Sequence, residues 1–203
     1  MSNPKTRQKS ALREYAEAIL VALVLAFFIR SFIIQAFKIP SGSMIPTLLI
    51  GDHILVNKFI FGPEVPLTHF RVFSYKKPQR GDVVVFLEPV ERKRDFIKRV
   101  IGLPGETLQV IQRKVYINGA PLDESGYAYF DSVPATSLDN FGPYEIPEDS
   151  YFMMGDNREN SSDSRVWGSV PFELIKGEAV LIYWSWDSND HSLRWSRIGD
   201  IIH

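Results

Sequence analysis

"AILVALVLAFFIRSFIIQAF", Ala18–Phe37, runs straight into "KIPSGSMIPTLLIGD", Lys38–Asp52, and at that junction the chain changes character. The first stretch is twenty residues long, near the roughly 20 that cross the hydrocarbon of a bilayer as a helix. One charge, Arg30, interrupts it past the middle. A charge at the bilayer centre costs at least about 2.5 kcal/mol, but a long arginine stem near the far end can carry its head to the interface. Lys5, Arg7, Lys9 and Arg13 precede the run, so the basic flank predicts a cytoplasmic N-terminus. The expected layout is a basic tail over 1–17, a transmembrane anchor over 18–37 and an extracytoplasmic domain over 38–203. Two other readings compete. A cleaved secretory signal fits the run, but "QAFKIPSGS" is a poor small-x-small cleavage site. A buried or interfacial helix is the third.

After Phe37 the pattern becomes one of short β-like runs between turn signals. "HILVNKFIF", "DVVVFLEP", "FIKRVIGL", "TLQVIQRKVYING", "DSYFMMGD" and "EAVLIYWSW" are dense in β-branched and aromatic residues, the composition of strands. Asn118-Gly119 closes the fourth as a tight-turn pair. The fold class expected is mostly β, an antiparallel sheet behind one N-terminal helix. Residues 119–150, rich in Pro, Asp, Ser and Gly, read as an excursion from that core, and "PFELIKG" holds one helical turn. Trp184, Trp186 and Trp195 read as core packing, with an interfacial belt as the alternative.

Composition removes several chemistries. The 203 residues contain no cysteine, which excludes disulfides, thiol catalysis and cysteine-ligated metals. A net charge of −1 gives no global field that would attract nucleic acid. Serine remains, and it needs a base to take its proton. The four histidines, His53, His69, His191 and His203, sit in no informative motif. The nucleophile elbow G-x-S-x-G is also absent around Ser43, since Ile45 stands at its last position. Ser74-Tyr75-Lys76-Lys77 matches S-x-x-K, but without the partner motifs of penicillin-binding enzymes.

Lysine is the other base, provided burial lowers a pKa that is normally near 10.4. Lys98 in "DFIKRVIGLPG" has Phe96, Ile97, Val100 and Ile101 around it. In a strand it shares a face with Phe96 and Val100, while Ile97 and Arg99 take the other. By local sequence it is either an inward lysine or a solvated one at a strand edge. "MGDNRENSSDSRVWG", Met154–Gly168, is polar throughout, and its spacing fails the calcium-loop pattern at Arg158. It is either a self-satisfied loop or the wall of a site.

Three segments taken in order, "PSGSMIPTL" after the apolar run, "RGDVVVF…DFIKRVIGLPGE" in mid-chain and "GDNRENSSDSR" later, resemble the type I signal peptidases of bacteria. The resemblance runs from the anchor to the closing "LRWSRIGDIIH". It implies a membrane-anchored serine endopeptidase that acts on secretory preproteins without metal or cofactor, with a Ser/Lys dyad. Matched by motif position, Ser43 is the nucleophile and Lys98 the general base. The Ser41 hydroxyl joins the Ser43 amide in an oxyanion hole, and Ser161 orients the lysine. Asp163 and Arg165 form a structural ion pair, with Asp156 and Arg99 in the same network. Met44, Leu48, Phe96 and Ile97 are implied to line a first substrate pocket, and Phe37, Ile39, Ile54 and Asp95 a second. Phe96 stands where the family often has Tyr, and Glu159 where Asp is commoner. Competing readings are a sibling Ser/Lys protease, such as a self-cleaving repressor or a pilus-processing peptidase, and a non-enzymatic anchored β domain.

Overall fold

A computed structural model describes residues 11–62, 71, 75–130 and 137–203. Lys5, Arg7, Lys9, His69, Ser74 and part of the 119–150 stretch lie outside these residues. In chain order the longer elements are helix α1 (Ala11–Phe32) and strands β1 (Ile34–Lys38), β2 (Asp52–Asn57), β3 (Val83–Leu87) and β4 (Asp95–Gly102). There follow β5 (Thr107–Ile111), β6 (Lys114–Ile117), β7 (Ala120–Pro121), β8 (Phe141–Glu145) and β9 (Ser150–Met154). Last come helix α2 (Ser164–Trp167), β10 (Val170–Pro171), β11 (Ile175–Asp187) and β12 (Ser192–Leu193). Every strand pairing between these elements is antiparallel.

The main sheet runs β1-β2-β11-β3-β4-β9-β10, with β12 on β11. It is buried on both faces through its middle, which is why β3 reads Val-Val-Val-Phe without a polar break. Val83 and Val85 join Ile39, Met44, Leu48, Ile54 and Ile182 in one core layer. Val84 and Phe86 join Val100, Met153 and Ile175 in the other. Such a strand does not fix its own register, because either face accepts it. The neighbouring β4 does: Lys98 pairs with Val84 and Arg99 with Val83, and a slip of one residue would exchange the faces of both charges.

Two boundaries differ from the sequence expectation. The apolar run is not helical to Phe37: α1 ends at Phe32, and Ile34–Lys38 is a strand whose Phe37 lies opposite Ile54. An unbroken apolar segment carries no periodicity to separate helix from strand, and here the hydrogen bonds offered by β2 decide. The excursion also begins earlier than 119. A second sheet of order β7-β6-β5-β8 starts at Thr107. "TLQVIQRKVYING" is a hairpin, turning at Gln112 and Arg113, both with positive φ (48° and 70°). Asn118 and Gly119 (51° and 81°) make the next turn. This sheet packs Leu108, Val110, Val115 and Ile117 on Ile101, Phe152 and Met154 of the main one.

The helical turn expected in "PFELIKG" is a single 3₁₀ turn at Phe172–Leu174. The tryptophans of the tail are not core residues: Trp184, Trp186 and Trp195 are 41%, 38% and 73% exposed. Ile175, Ala179 and Ile182 of β11 face the core, and the register irregularity between Ile182 and Trp184 puts the two indoles of that strand out of phase with them.

Candidate active site

Ser43 sits in the connection between β1 and β2. That loop is pinned at its neck by Ile39 N to Asp52 O (2.8 Å) and Gly51 N to Ile39 O (3.0 Å). Within it, Leu48 N donates to Met44 O and Ile45 N to Gly42 O. The far side is held by Asn157, whose backbone N donates to Ser43 O (3.1 Å) and whose Nδ2 donates to Gly42 O (3.3 Å). Asn157 was not singled out in the sequence, although it lies in the quoted "GDNRENSSDSR". Gly155 makes the approach sterically possible. A Cβ there would overlap the Ser161 Oγ and the Ser43 carbonyl oxygen.

β4 carries Lys98 inward, in phase with Phe96 and Val100. Its side chain reaches Ser43, with Nζ 2.6 Å from Oγ. Ser43 and Lys98 are only 8% and 4% exposed. Burial pulls the Lys98 pKa from 10.5 down to about 8, while the carboxylates of Asp163 and Asp156 push in the opposite direction. Desolvation wins because each carboxylate has its own arginine. Asp156 takes Arg99 in a two-point contact, Nε to Oδ1 at 2.8 Å and Nη2 to Oδ2 at 2.7 Å. Asp163 takes Arg165 the same way at 2.9 and 2.8 Å.

These two pairs also brace the loop. Thr47 Oγ1 donates to Asp156 Oδ2 at 2.5 Å, tying the Ser43 connection to the end of β9. Asp163 caps α2, accepting from Arg165 N, and also accepts from Gly155 N. Arg158 donates to the Gly155 carbonyl and pairs with Glu124 from the second sheet's side. Arg113, in the β5–β6 turn, pairs with the buried Glu159 at 2.8 Å. Glu124 and Arg113 carried no local motif; only the fold brings them here.

A cleft of about 380 Å³ opens over the pair, lined among others by Ser41, Asp95, Phe96, Ile97, Asn160 and Ser162. Ser41 is exposed on its rim. Next to it a hollow of about 30 Å³ is lined by Phe37, Ile39, Ile54, Asp95, Phe96 and Ile97, so the four residues assigned to the second pocket do come together. The first pocket differs. Phe96 and Ile97 line the cleft, but Met44 and Leu48 are fully buried and belong to the core layer beneath it. Two apolar residues of a compact turn pack inward more readily than they face an open cleft. Ser161 also differs from expectation. Its Oγ is buried but has no hydrogen-bond partner among the described residues, so no bond to Lys98 is formed. His53, His191 and His203 do not line the cleft.

A family model described as "Signal peptidase, peptidase S26" matches residues 12–184. The chain belongs to this family. The match covers the helix, the Ser43 connection, β4 and the polar loop alike. The signal peptidase I of Pseudomonas fluorescens is 36% identical, over 96% of this chain and 81% of that protein. The signal peptidase I of Leptolyngbya laminosa is 42% identical, over 90% and 84%. The signal peptidase I P of Bacillus subtilis subsp. natto is 36% identical, over 81% and 84%. As a member of this peptidase family the chain is a hydrolase. Its N-terminal helix is long and apolar enough to cross a membrane.

Proposed function

We propose that the enzyme is a single-pass membrane endopeptidase that removes signal peptides from translocated preproteins, cutting after small-x-small sequences with Ser43 as nucleophile and Lys98 as general base. The observation that carries this reading is the 2.6 Å approach of Lys98 Nζ to Ser43 Oγ in a desolvated site. A lysine near 8 has a useful neutral fraction at physiological pH. Neutral Lys98 takes the Ser43 proton as Oγ attacks the scissile carbonyl. Charge developing on the carbonyl oxygen is met by the Ser43 amide and the Ser41 hydroxyl; losing one such donor typically costs about 10²–10³ in rate. Lys98 then protonates the leaving amine and activates the water that releases the acyl-enzyme. The Asp163–Arg165 and Asp156–Arg99 pairs hold the loop behind the dyad.

Substrate binding follows from the sheet. Strand β9 pairs with β4 only from Arg99 onward, whereas β3 pairs with it from Asp95. Residues 95–98 therefore offer one backbone edge to the cleft, where an extended peptide can add as a strand. The small hollow beside it accepts a small side chain and excludes a larger one. The basic N-terminal flank supports a cytoplasmic tail, with the β domain on the outer side of the inner membrane. The exposed Trp184, Trp186 and Trp195 suit contact with the bilayer surface.

The test is preprotein processing by Ser43→Ala and Lys98→Ala variants in membranes. Both should lose cleavage while keeping the wild-type circular dichroism and membrane retention. Normal processing by either variant would overturn the dyad.

A further inference from the structure

A peptide that enters the cleft must also leave it, and the sheet dictates how. Residues before the cut lie along 95–97, beside the small hollow, and the cut itself falls at Lys98 and Ser43. The peptide therefore runs parallel to β4, toward its C-terminal end. Beyond Lys98 that edge is taken, because β9 pairs with Arg99 and Val100. The segment after the scissile bond has to turn out of the sheet plane.

Of the two faces, one is closed. The Ile97 face carries the small hollow and the core layer of Ile39, Met44 and Leu48. Lys98 stands on the other, in phase with Arg94 and Phe96, and the leaving amine must reach its Nζ to take the proton. A larger hollow, about 290 Å³ against about 30 Å³ for the small one, opens on that side. Its lining includes Arg94, Phe96 and Ser162, which also line the cleft, so the two spaces are continuous. Phe96 and Trp167 form its floor, and both rings pack on Phe86 with centroids 6.3 and 5.8 Å away. Its wall is the turn between β3 and β4, where the Glu88 carboxylate accepts from the N–H groups of Val90 and Glu91, each at 2.7 Å. That carboxylate is committed to the turn, which leaves size and aromatic contact to do the selecting.

We propose that this hollow is a subsite for the mature side of the preprotein, taking a large aromatic side chain from one of the first two residues after the cut. This rests on the reading of Ser43 and Lys98 as the dyad and of residues 95–98 as the substrate's edge. The small side chains of the signal peptide and the large one of the mature chain then lie on opposite faces of one strand.

The test is cleavage, by the full chain in detergent, of quenched fluorescent peptides that share Ala-Ser-Ala before the cut and carry Gly-Gly, Phe-Gly or Gly-Phe after it. A further peptide has Phe at the middle position before the cut and Gly-Gly after it. Ratios of kcat/KM are taken within each enzyme, so a change in folded fraction cancels. Phe at one of the two positions after the cut should raise kcat/KM about fivefold over Gly, the scale of one aromatic contact. Trp167→Ala removes the floor, and Val90→Trp, from an exposed position on the turn, fills the hollow; each should abolish that preference. Equal rates with Gly and Phe after the cut, in an enzyme that cleaves the Gly-Gly peptide, overturn the subsite and leave the dyad standing. A preference that survives both variants also overturns it. So does a preference at the middle position before the cut that the two variants abolish instead. Failure to cleave the Gly-Gly peptide overturns the substrate reading, and the subsite with it.

Discussion

The pH profile of cleavage tests the base directly. With a pKa of about 8, Lys98 is neutral in about one molecule in eleven at pH 7, against about one in three thousand for a lysine at 10.5. The second-order rate constant kcat/KM reports the free enzyme. It should rise about tenfold per pH step below 7, reach half its maximum near pH 8 and level off above 9. At pH 6 it should be about 1% of the plateau. The assay is initial-rate cleavage of a quenched fluorescent peptide, well below KM, in detergent from pH 5.5 to 10. Asp163→Asn removes a carboxylate that raises this pKa, so the midpoint should move to lower pH. A rate flat between pH 6 and 8 would refute a lysine base. A rate still climbing at pH 10 would refute its desolvation. Stability should follow the same group with a definite sign. Its pKa is lowered in the folded chain, so the unfolded chain binds the proton more tightly and the fold gains stability as pH rises from about 8 toward 10.5. The full gain is about 3 kcal/mol, measurable by urea unfolding at pH 7.5 and 10.

Gly155→Ala should cut peptide cleavage by at least 10²-fold, because the new methyl displaces the Ser43 carbonyl and Ser161. Cleavage near the wild-type rate would show that the loop relaxes freely. Asp156→Asn leaves Arg99, 2% exposed, without its carboxylate. Breaking a buried pair this way costs about 3–5 kcal/mol, to be read as a lowered urea midpoint; a loss under 1 kcal/mol would make the pair dispensable. Phe37→Ala widens the small hollow, so substrates with Leu three residues before the cut should gain in kcat/KM relative to Ala, and an unchanged ratio would place that side chain elsewhere.

Much of this site was legible before any coordinates. Lys98 in phase with Phe96 and Val100 requires only the two-residue period of a strand, and its burial follows once the Ser43 connection and the polar loop pack over that side chain. Of the charges at 156–165, only Asp163 and Arg165 pair within the short polar loop, as the family resemblance implied; Asp156, Arg158 and Glu159 reach Arg99, Glu124 and Arg113 outside it. What was hidden depended on pairing across long separations. The strand inside the apolar run at 34–38 exists because β2 lies beside it. The turn at Gln112-Arg113 has no glycine to announce it, since long polar side chains take positive φ there only when both flanking strands pair. Met44 and Leu48 read equally well as pocket or core, and the inward turn of the Ser43 loop sends both beneath the cleft. Glu124 and Arg113 reach the polar loop from another sheet, which local sequence cannot reveal.

One residue, Ile33, separates α1 from β1. Its N–H still bonds to Ile29 of the helix, and its carbonyl already accepts from Lys58 beyond β2. There is no tether here. Helix and sheet edge form one lever, with the nucleophile's loop at the next bend. Any tilt imposed on the helix rotates the cutting edge with it. A flexible spacer placed after Ile33 would leave the chemistry whole and lose its aim.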